Sequence, residues 1–394
     1  MRLYKYPIKY FCGSNLSRYD EKFLHGCLKV FDENYSAPVP IVGETGIDGV
    51  LLDFNCGLRL QIPEGNWHVR ITESANGVIC FDEDVSRVTL ISLEKFCVEW
   101  EIAIWKDSAP VFCHQFDPTD QKIHFIIGSR MLDETLIFLP YTEEFRRTFK
   151  CEVSLTISEM FHELVTNYFS AIRLRKELPS DCYACIYADG FMNMPSCGSD
   201  VRSMPLEIYV QMLLTNSKIK RPKKMLYAPT KPREIQEPYV CIEVQASTPG
   251  KSWLNPDGWV QVVRYLKSIG YRVLCLDCDH KPDLIEQINQ LAYADFFIGV
   301  SSGLSWLARA VDIPVVMISG ITESWYEFDT PYRVNNPIVC HGCFNNLYHD
   351  FKPNVCPIYG GTAREFECSK KISARQVINA IDRLIADHNL EGRN

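Results

Sequence analysis

The segment from residue 239 to residue 318 most constrains what this chain can fold into. Short apolar runs alternate there with amphipathic stretches of helix length. In chain order the predicted elements are a strand at 239–244, a helix at 255–269, a strand at 272–276, a helix at 283–292, a strand at 296–300, a helix at 304–311 and a strand at 314–318. Because this alternation is typical of βαβ units, we predict a doubly wound parallel sheet.

The rest of the chain divides into segments that differ in their pattern of apolar and turn-forming residues. Residues 1–45 end in a turn-rich stretch and are predicted to be an appended segment. Residues 46–128 contain short alternating runs separated by turn residues, which predicts a small antiparallel β domain. Residues 129–216 are predicted to form a first Rossmann-like half. Residues 217–238, rich in Pro and Lys, are predicted to be a linker to a second half at 239–394. The predicted fold class is therefore α/β, with a ligand cleft between the two Rossmann-like halves.

Charge, hydropathy and cysteine content exclude several classes of protein. The net charge is −8, and the one basic run, 218–224, is short, so a nucleic-acid partner is not expected. No stretch approaches the roughly 20 apolar residues of a membrane helix, and the N-terminus lacks the apolar core of a signal peptide, so we expect no membrane span. Seventeen scattered cysteines, an odd number, suit reduced thiols and a cytoplasmic location.

A loop of small residues follows the predicted strand that ends at Val300. Ser301, Ser302, Gly303, Leu304 and Ser305 follow in order, at the start of the next predicted helix. In an open parallel sheet this place binds anions, because the first backbone N–H groups of a helix are unpaired and its dipole favours negative charge. The loop is therefore a candidate pyrophosphate site, although an ordinary helix N-cap has a similar sequence.

A second candidate loop follows the predicted strand at 239–244. Ser247, Thr248 and Lys251 supply two hydroxyls and a cation, and Pro249 and Gly250 supply a turn. A lysine here could neutralise a leaving diphosphate, while the alternative is a surface lysine in a loop. Because both loops leave adjacent regions of one sheet, we expect them to face the same phosphates.

Two adjacent carboxylates, Asp133 and Glu134, lie where the predicted β domain gives way to the first α/β half. A transferase needs a base that takes the proton from the attacking hydroxyl, and either residue could supply it. Acidic residues are also common at helix starts simply because they complement the helix dipole, so a purely structural role is the alternative.

Four cysteines lie within one loop region near the C-terminus, at 340–368. Cys340 and Cys343 form a Cys-x2-Cys pair, and Cys356 and Cys368 follow. Four thiolates make a tetrahedral structural site for iron or zinc. Because four ligands leave no open position, we expect no catalytic metal.

These motifs resemble those of the bacterial autotransporter heptosyltransferases, relatives of the lipopolysaccharide heptosyltransferases with a two-domain GT-B fold. The resemblance covers the chain from about residue 45 to 385. Besides the four cysteines, the segments that carry it are 53–57, 63–70, 251–259, 301–308, 314–320, 327–334 and 364–368.

The resemblance implies an inverting protein O-glycosyltransferase that transfers heptose from ADP-heptose to Ser or Thr hydroxyls of autotransporter passenger domains. It also implies a homo-oligomer and an iron ion in the four-cysteine site. By position, it assigns the donor phosphates to Ser247, Thr248 and Lys251, the pyrophosphate loop to Ser302, Gly303 and Leu304, and the metal to Cys340, Cys343, Cys356 and Cys368.

The identity of the base stays open between two residues. The family has Thr-Leu-Gly-Asp before a Phe-Pro-Tyr turn, whereas here residues 131–134 are Met-Leu-Asp-Glu and residues 139–141 are Leu-Pro-Tyr. Aligned from the turn without a gap, the catalytic Asp falls on Glu134 and the Gly on Asp133. This change, with a short loop at 279–283, leaves two further hypotheses: a non-catalytic homologue that acts as a binding or assembly subunit, and a transferase with a different sugar donor.

Overall fold

The computed structural model describes most of the chain, and every helix and strand named below belongs to that part. The described residues are 8–11, 40–92, 97–188, 201–214, 219, 222, 226, 229–246, 248–277, 282–352 and 354–390. The strands are β1 (Ile8–Phe11), β2 (Leu51–Asn55), β3 (Arg59–Ile62), β4 (Trp67–Glu73), β5 (Val78–Val85), β6 (Val88–Ser92), β7 (Trp100–Lys106), β8 (Ala109–Gln115), β9 (Lys122–Ile127), β10 (Glu152–Ile157), β11 (Arg173–Leu174), β12 (Ala184–Ala188), β13 (Tyr239–Ile242), β14 (Arg272–Cys275), β15 (Phe297–Val300), β16 (Val315–Ile318) and β17 (Arg333–Val334). The α-helices are α1 (Leu132–Phe149), α2 (His162–Tyr168), α3 (Leu206–Leu213), α4 (Gly258–Ser268), α5 (Leu284–Ala292), α6 (Gly303–Ala310), α7 (Glu367–Lys370) and α8 (Ala374–Asp387).

The strands of the N-terminal half form two sheets. An eight-stranded mixed sheet has the order β1-β6-β3-β2-β12-β9-β10-β11, and a four-stranded antiparallel sheet has the order β5-β4-β7-β8. The segment predicted as one small β domain thus contributes to both. The reason is burial: β2, β3 and β6 are largely buried on both faces, where the charges of Asp53 and Arg59 pair with each other, whereas β4 alternates buried and more exposed residues and leaves one face to solvent.

The C-terminal half contains the doubly wound parallel sheet that the sequence predicts. Its order is β14-β13-β15-β16-β17, and every neighbouring pair is parallel. All four residues of β13, β15 and β16 are buried, as expected for strands covered by helices on both faces. The predicted alternation of strands and helices from 239 to 318 is confirmed.

Each α/β half has a point at which the strand order reverses. In the C-terminal sheet, β13 lies between β14 and β15, which follow it in sequence; in the N-terminal sheet, β9 lies between β10 and β12. Open α/β sheets bind ligands at the carboxyl ends of the strands at such points. The chain that leaves β13 and β15 carries the two predicted donor loops, and α1 follows β9.

The two halves pack together through helices that begin at these strand ends. Helix α1 packs against α6, and Leu132 lies directly over Gly303. A Cβ atom at position 303 would lie 2.8 Å from the Leu132 Cβ, which is closer than such atoms approach in proteins. A glycine at 303 therefore allows the two helix starts to meet.

Two further findings concern the helices and the thiols of the described residues. None of these helices has the combination of length and apolarity that crossing a membrane demands. Twelve cysteines in this part of the chain carry free thiols, whereas Cys275 is disulfide-bonded. The expectation of reduced thiols therefore fails at Cys275.

Candidate donor site and four-cysteine segment

The first turn of α1 holds both predicted acids in different roles. The N-terminal neighbour of this helix, Met131, provides no side-chain cap, and the Asp133 Oδ1 accepts the backbone N–H of Glu134 at 3.0 Å. Asp133 is therefore turned back to the helix start, where a carboxylate complements the dipole. This contact fits the structural role that sequence reasoning kept as an alternative for the two acids, and the identity of the base stays a prediction.

The loop after β13 forms a turn around Thr248. The Thr248 carbonyl oxygen accepts the backbone N–H of Lys251, at 3.1 Å, and that of Ser252, at 3.2 Å. Within the described residues the Lys251 ammonium makes no hydrogen bond or ion pair, and the buried Thr248 Oγ1 has no hydrogen-bond partner. A cation and a hydroxyl without partners suit an anionic ligand. Ser247, the third residue predicted in this loop, lies outside the described residues.

The loop after β15 turns its hydroxyls into the protein. The Ser302 Oγ caps α6 by accepting the Ser305 N–H at 3.4 Å, and it donates to the buried Glu243 Oε2. The Ser301 hydroxyl likewise donates to Glu327. The first turn of α6, at Gly303 and Leu304, offers backbone N–H groups that have no partner within the helix, as a helix start does in general.

Glu243 is a buried carboxyl of this site that sequence reasoning missed. It directly follows β13, and only 6% of its surface is exposed. Burial raises the pKa of Glu243 to about 8, with a further increase from the Asp277 carboxylate; the Ser302 hydroxyl, the Val300 backbone and the Lys251 charge oppose the increase. The available signal was a glutamate placed immediately after an entirely apolar strand.

Asp277 is the second residue of the site that the sequence did not reveal. It lies two residues beyond β14, and its carboxylate accepts the backbone N–H of Val244 at 3.0 Å and that of Gln245. It therefore fixes the start of the chain that leads from β13 to Lys251. A carboxylate at the carboxyl end of a neighbouring strand could have suggested this role.

The cysteines of the four-cysteine segment, 340–368, converge on one small cavity. Cys340, Cys343, Cys356 and Cys368 all line it, and all except Cys340 are buried. The turn between the first two cysteines depends on Gly342, which has a φ of 68° and donates its N–H to the Gly320 carbonyl at 3.0 Å. The segment is thus attached to the loop that follows β16.

The chemistry of this cavity suits a soft metal ion. Thiolate sulfur is the preferred ligand of iron and zinc in structural sites. Burial, with a smaller contribution from the three other thiols, raises the pKa of Cys343 to about 12, a cost that a bound cation would reverse. In the described part of the chain, however, no group of three or more His, Cys, Asp or Glu side chains is arranged so that it could hold a metal ion. The thiols share a cavity without forming a closed ligand cage.

The four-cysteine segment and the Lys251 loop are joined by hydrogen bonds. The Ser369 hydroxyl donates to the Ser252 carbonyl and accepts the Leu254 N–H at 2.8 Å. The Trp253 indole N–H donates to the Ile372 carbonyl at 3.0 Å, and Gly250 lines the same cavity as the four thiols. The predicted metal and donor sites are therefore neighbours, which their separation in sequence did not indicate.

Comparison with known proteins places the chain in a family. Residues 46–108 match the family model for the N-terminal domain of glycosyltransferase TibC. The Escherichia coli autotransporter heptosyltransferase Aah is 34% identical over 364 residues, which cover 85% of this chain and 93% of that protein. The chain belongs to the autotransporter heptosyltransferase family. This confirms the family that the sequence motifs indicate.

Two other members of the family differ in their described activity, since one is a heptosyltransferase in complex with its donor and the other is inactive. The crystal structure of TibC from E. coli, described as a dodecameric iron-containing heptosyltransferase in complex with ADP-D-beta-D-heptose, is 31% identical. It matches with a TM-score of 0.81 over 89% of this chain and 100% of that chain, which confirms the predicted GT-B-type α/β fold class. The inactive autotransporter heptosyltransferase BimC of Burkholderia thailandensis is 30% identical over 379 residues, 88% of both chains.

Proposed function

We propose that this protein transfers heptose from ADP-heptose to Ser or Thr hydroxyls of an autotransporter passenger domain. The contact between Leu132 and Gly303 supports this above all, because it brings the acid-bearing start of α1 to the first turn of α6, at the strand ends where an α/β protein binds nucleotides. The complex of TibC with ADP-heptose supports the same donor.

In the proposed reaction Glu134 takes the proton from the acceptor hydroxyl, with Asp133 as the alternative base. The hydroxyl oxygen then attacks the anomeric carbon of heptose while the bond from that carbon to the diphosphate breaks, so the configuration inverts in one displacement. The departing ADP carries the negative charge. Lys251 and the N–H groups of Gly303 and Leu304 stabilise it, and Thr248 and Ser247 complete the phosphate contacts. The reaction needs no catalytic metal.

The four-cysteine segment is proposed to hold a structural iron ion, with zinc as the alternative. Cys340, Cys343, Cys356 and Cys368 supply four soft ligands, and TibC is described as iron-containing. We also propose a homo-oligomer, since TibC is described as dodecameric. Free thiols at this segment suit a reducing cytoplasm, where the passenger would be modified.

A non-catalytic homologue, acting as a binding or assembly subunit, is the second candidate. BimC, at 30% identity, is described as inactive. The first turn of α1 gives a specific reason to consider this role, because Asp133 is engaged at the helix start and a glutamate stands at the position aligned with the catalytic aspartate.

Intact-mass measurement of an acceptor distinguishes the two candidates. The purified protein is incubated with ADP-heptose and an autotransporter passenger, beside Glu134→Gln and the matched control Glu101→Gln, which changes an exposed glutamate of β7. We expect whole heptose units on the passenger with the wild type and the control. Binding of ADP-heptose without transfer would favour the non-catalytic homologue, and absence of both would contradict the proposed function.

A further inference from the structure

Two buried carboxylates beneath the start of α6 differ in how their charge is balanced. Glu327 accepts the Ser301 hydroxyl and is also ion-paired with Arg333, whose Nη1 lies 2.9 Å from its Oε2. Glu243 accepts the Ser302 hydroxyl but has no ion pair among the described residues. A buried carboxyl without a cationic partner favours the neutral form.

We propose that Glu243 is a positioning residue of the donor site, which couples the binding of an ADP-sugar to the uptake of one proton by setting the direction of the Ser302 hydroxyl. The inference rests on the proposed function in one respect, namely that the diphosphate lies at the start of α6.

The hydrogen-bonding capacity of Ser302 leads to this coupling. A serine hydroxyl has one proton to donate and two lone pairs. One lone pair of Ser302 accepts the Ser305 N–H. When Glu243 is ionised, the Ser302 proton is committed to its carboxylate. When Glu243 is protonated, its own O–H donates to the second lone pair, and the Ser302 proton is released to donate to a phosphate oxygen.

Of the charges around Glu243, a carboxylate favours its protonated form and a cation opposes it. Asp277, beyond β14, raises the pKa of Glu243 with a second carboxylate, and the cation of Lys251, in the loop after β13, lowers it. From β15 and α6 Glu243 meets Gly299, Val300 and Ser302, which carry no charge. Helix α1, which packs against α6, carries Asp133 and Glu134 in its first turn. A diphosphate adds negative charge to this group, so the complex holds the proton on Glu243 more firmly than the free protein does.

The affinity for the donor depends on pH because Glu243 is protonated to different extents in the free protein and in the complex. Burial raises the pKa of Glu243 to about 8 in the free protein. Below this value the proton is already in place, and binding is independent of pH. Above it the complex binds more protons than the free protein, so affinity falls as pH rises, by up to about tenfold per pH unit for one proton.

Calorimetry of ADP-heptose binding without acceptor, from pH 6.5 to 9.5, tests the coupling. The diphosphate of this donor does not titrate in that range, so proton uptake, obtained from two buffers of different ionisation enthalpy, belongs to the protein. We expect uptake to approach one proton at pH 9, and Glu243→Gln to show none. The control Glu101→Gln should keep the wild-type count. A wild-type count of zero at pH 9 overturns the proposal without any variant.

A second variant tests the role of the hydroxyl. Ser302→Ala should weaken binding several-fold at pH 6.5 but hardly at pH 9.5, where the wild-type hydroxyl is already committed to Glu243. An equal loss at both values would contradict the directional role. If ADP-heptose binds at no pH, the proposed donor site itself is wrong; if it binds without proton uptake, only the role of Glu243 is.

Discussion

The hydroxyl of Ser369 donates a hydrogen bond to the backbone carbonyl of Ser252. It joins the residue after the last cysteine of the four-cysteine segment to the residue after Lys251. The same hydroxyl accepts the Leu254 N–H, so two bonds hold the loop. The geometry of the cysteines and the position of the lysine are therefore linked.

Ser369→Ala is expected to weaken ADP binding several-fold while changing kcat less than twofold. The variant removes two bonds that hold the Lys251 loop, each worth about 0.5–1.5 kcal/mol. Calorimetry and steady-state kinetics measure the two effects, with Ser268→Ala, at the exposed end of α4, as the control. A fall in kcat at unchanged ADP affinity would contradict the link.

Replacing Cys356 by Ser is expected to release the metal and lower the melting temperature. Removing one of four thiolates opens the tetrahedron and leaves buried sulfur atoms without a counter-charge. Elemental analysis and thermal unfolding measure the outcome, and Cys113→Ser, at an exposed position of β8, is the control. If pure wild-type protein contains neither iron nor zinc, the metal site is wrong.

Lys251→Ala is expected to weaken ADP binding more than tenfold. A charge-assisted hydrogen bond to a phosphate contributes about 1.5–3 kcal/mol, and within the described residues this ammonium makes no hydrogen bond or ion pair, although its charge acts on Glu243. Calorimetry with ADP tests the loss. Lys267→Ala, which removes an exposed lysine from the last turn of α4, should leave the affinity unchanged. An unchanged affinity in Lys251→Ala would remove the lysine from the donor site.

Glu134→Gln is expected to leave ADP affinity intact but to lower transfer by about two to four orders of magnitude, the usual contribution of a positioned base. Asp133→Asn should affect mainly stability, by about 0.3–1 kcal/mol, since its carboxylate lies at the helix start. Transfer rates measured by intact mass separate the two. If Asp133→Asn alone abolishes transfer, the base is Asp133.

Glu243→Gln is expected to change how stability depends on pH. The pKa of Glu243 is raised from 4.5 to about 8 by folding, so the folded protein holds more protons between these values. Wild-type stability therefore declines as pH rises through this window, by up to about 1.4 kcal/mol per pH unit from this group. Urea unfolding at pH 6 and pH 8 should show that the variant lacks this decline. Parallel pH dependence in both proteins would contradict the raised pKa.

The alternation of strands and helices after residue 239 was predictable because hydrophobic periodicity is a local property. The positions of Lys251 and Ser302 at strand ends followed from it. What the sequence did not reveal depends on which strands become neighbours. Glu243 lies beneath Ser302 only because β13 and β15 are adjacent, and β2 joins the first α/β sheet only through its pairing with β12. Such contacts join residues far apart in the chain, and no local pattern encodes them.

The contact between Leu132 and Gly303 sets how closely the two halves approach each other. In the proposed reaction, the distance from the Glu134 carboxylate to the diphosphate would be set by this contact, which has no spare room, since even a methyl group at 303 would overlap the Leu132 side chain. Gly303→Ala would therefore act as a wedge one methyl group thick. Each half could fold and bind its own ligand, yet the acceptor and the donor would be held out of reach of each other.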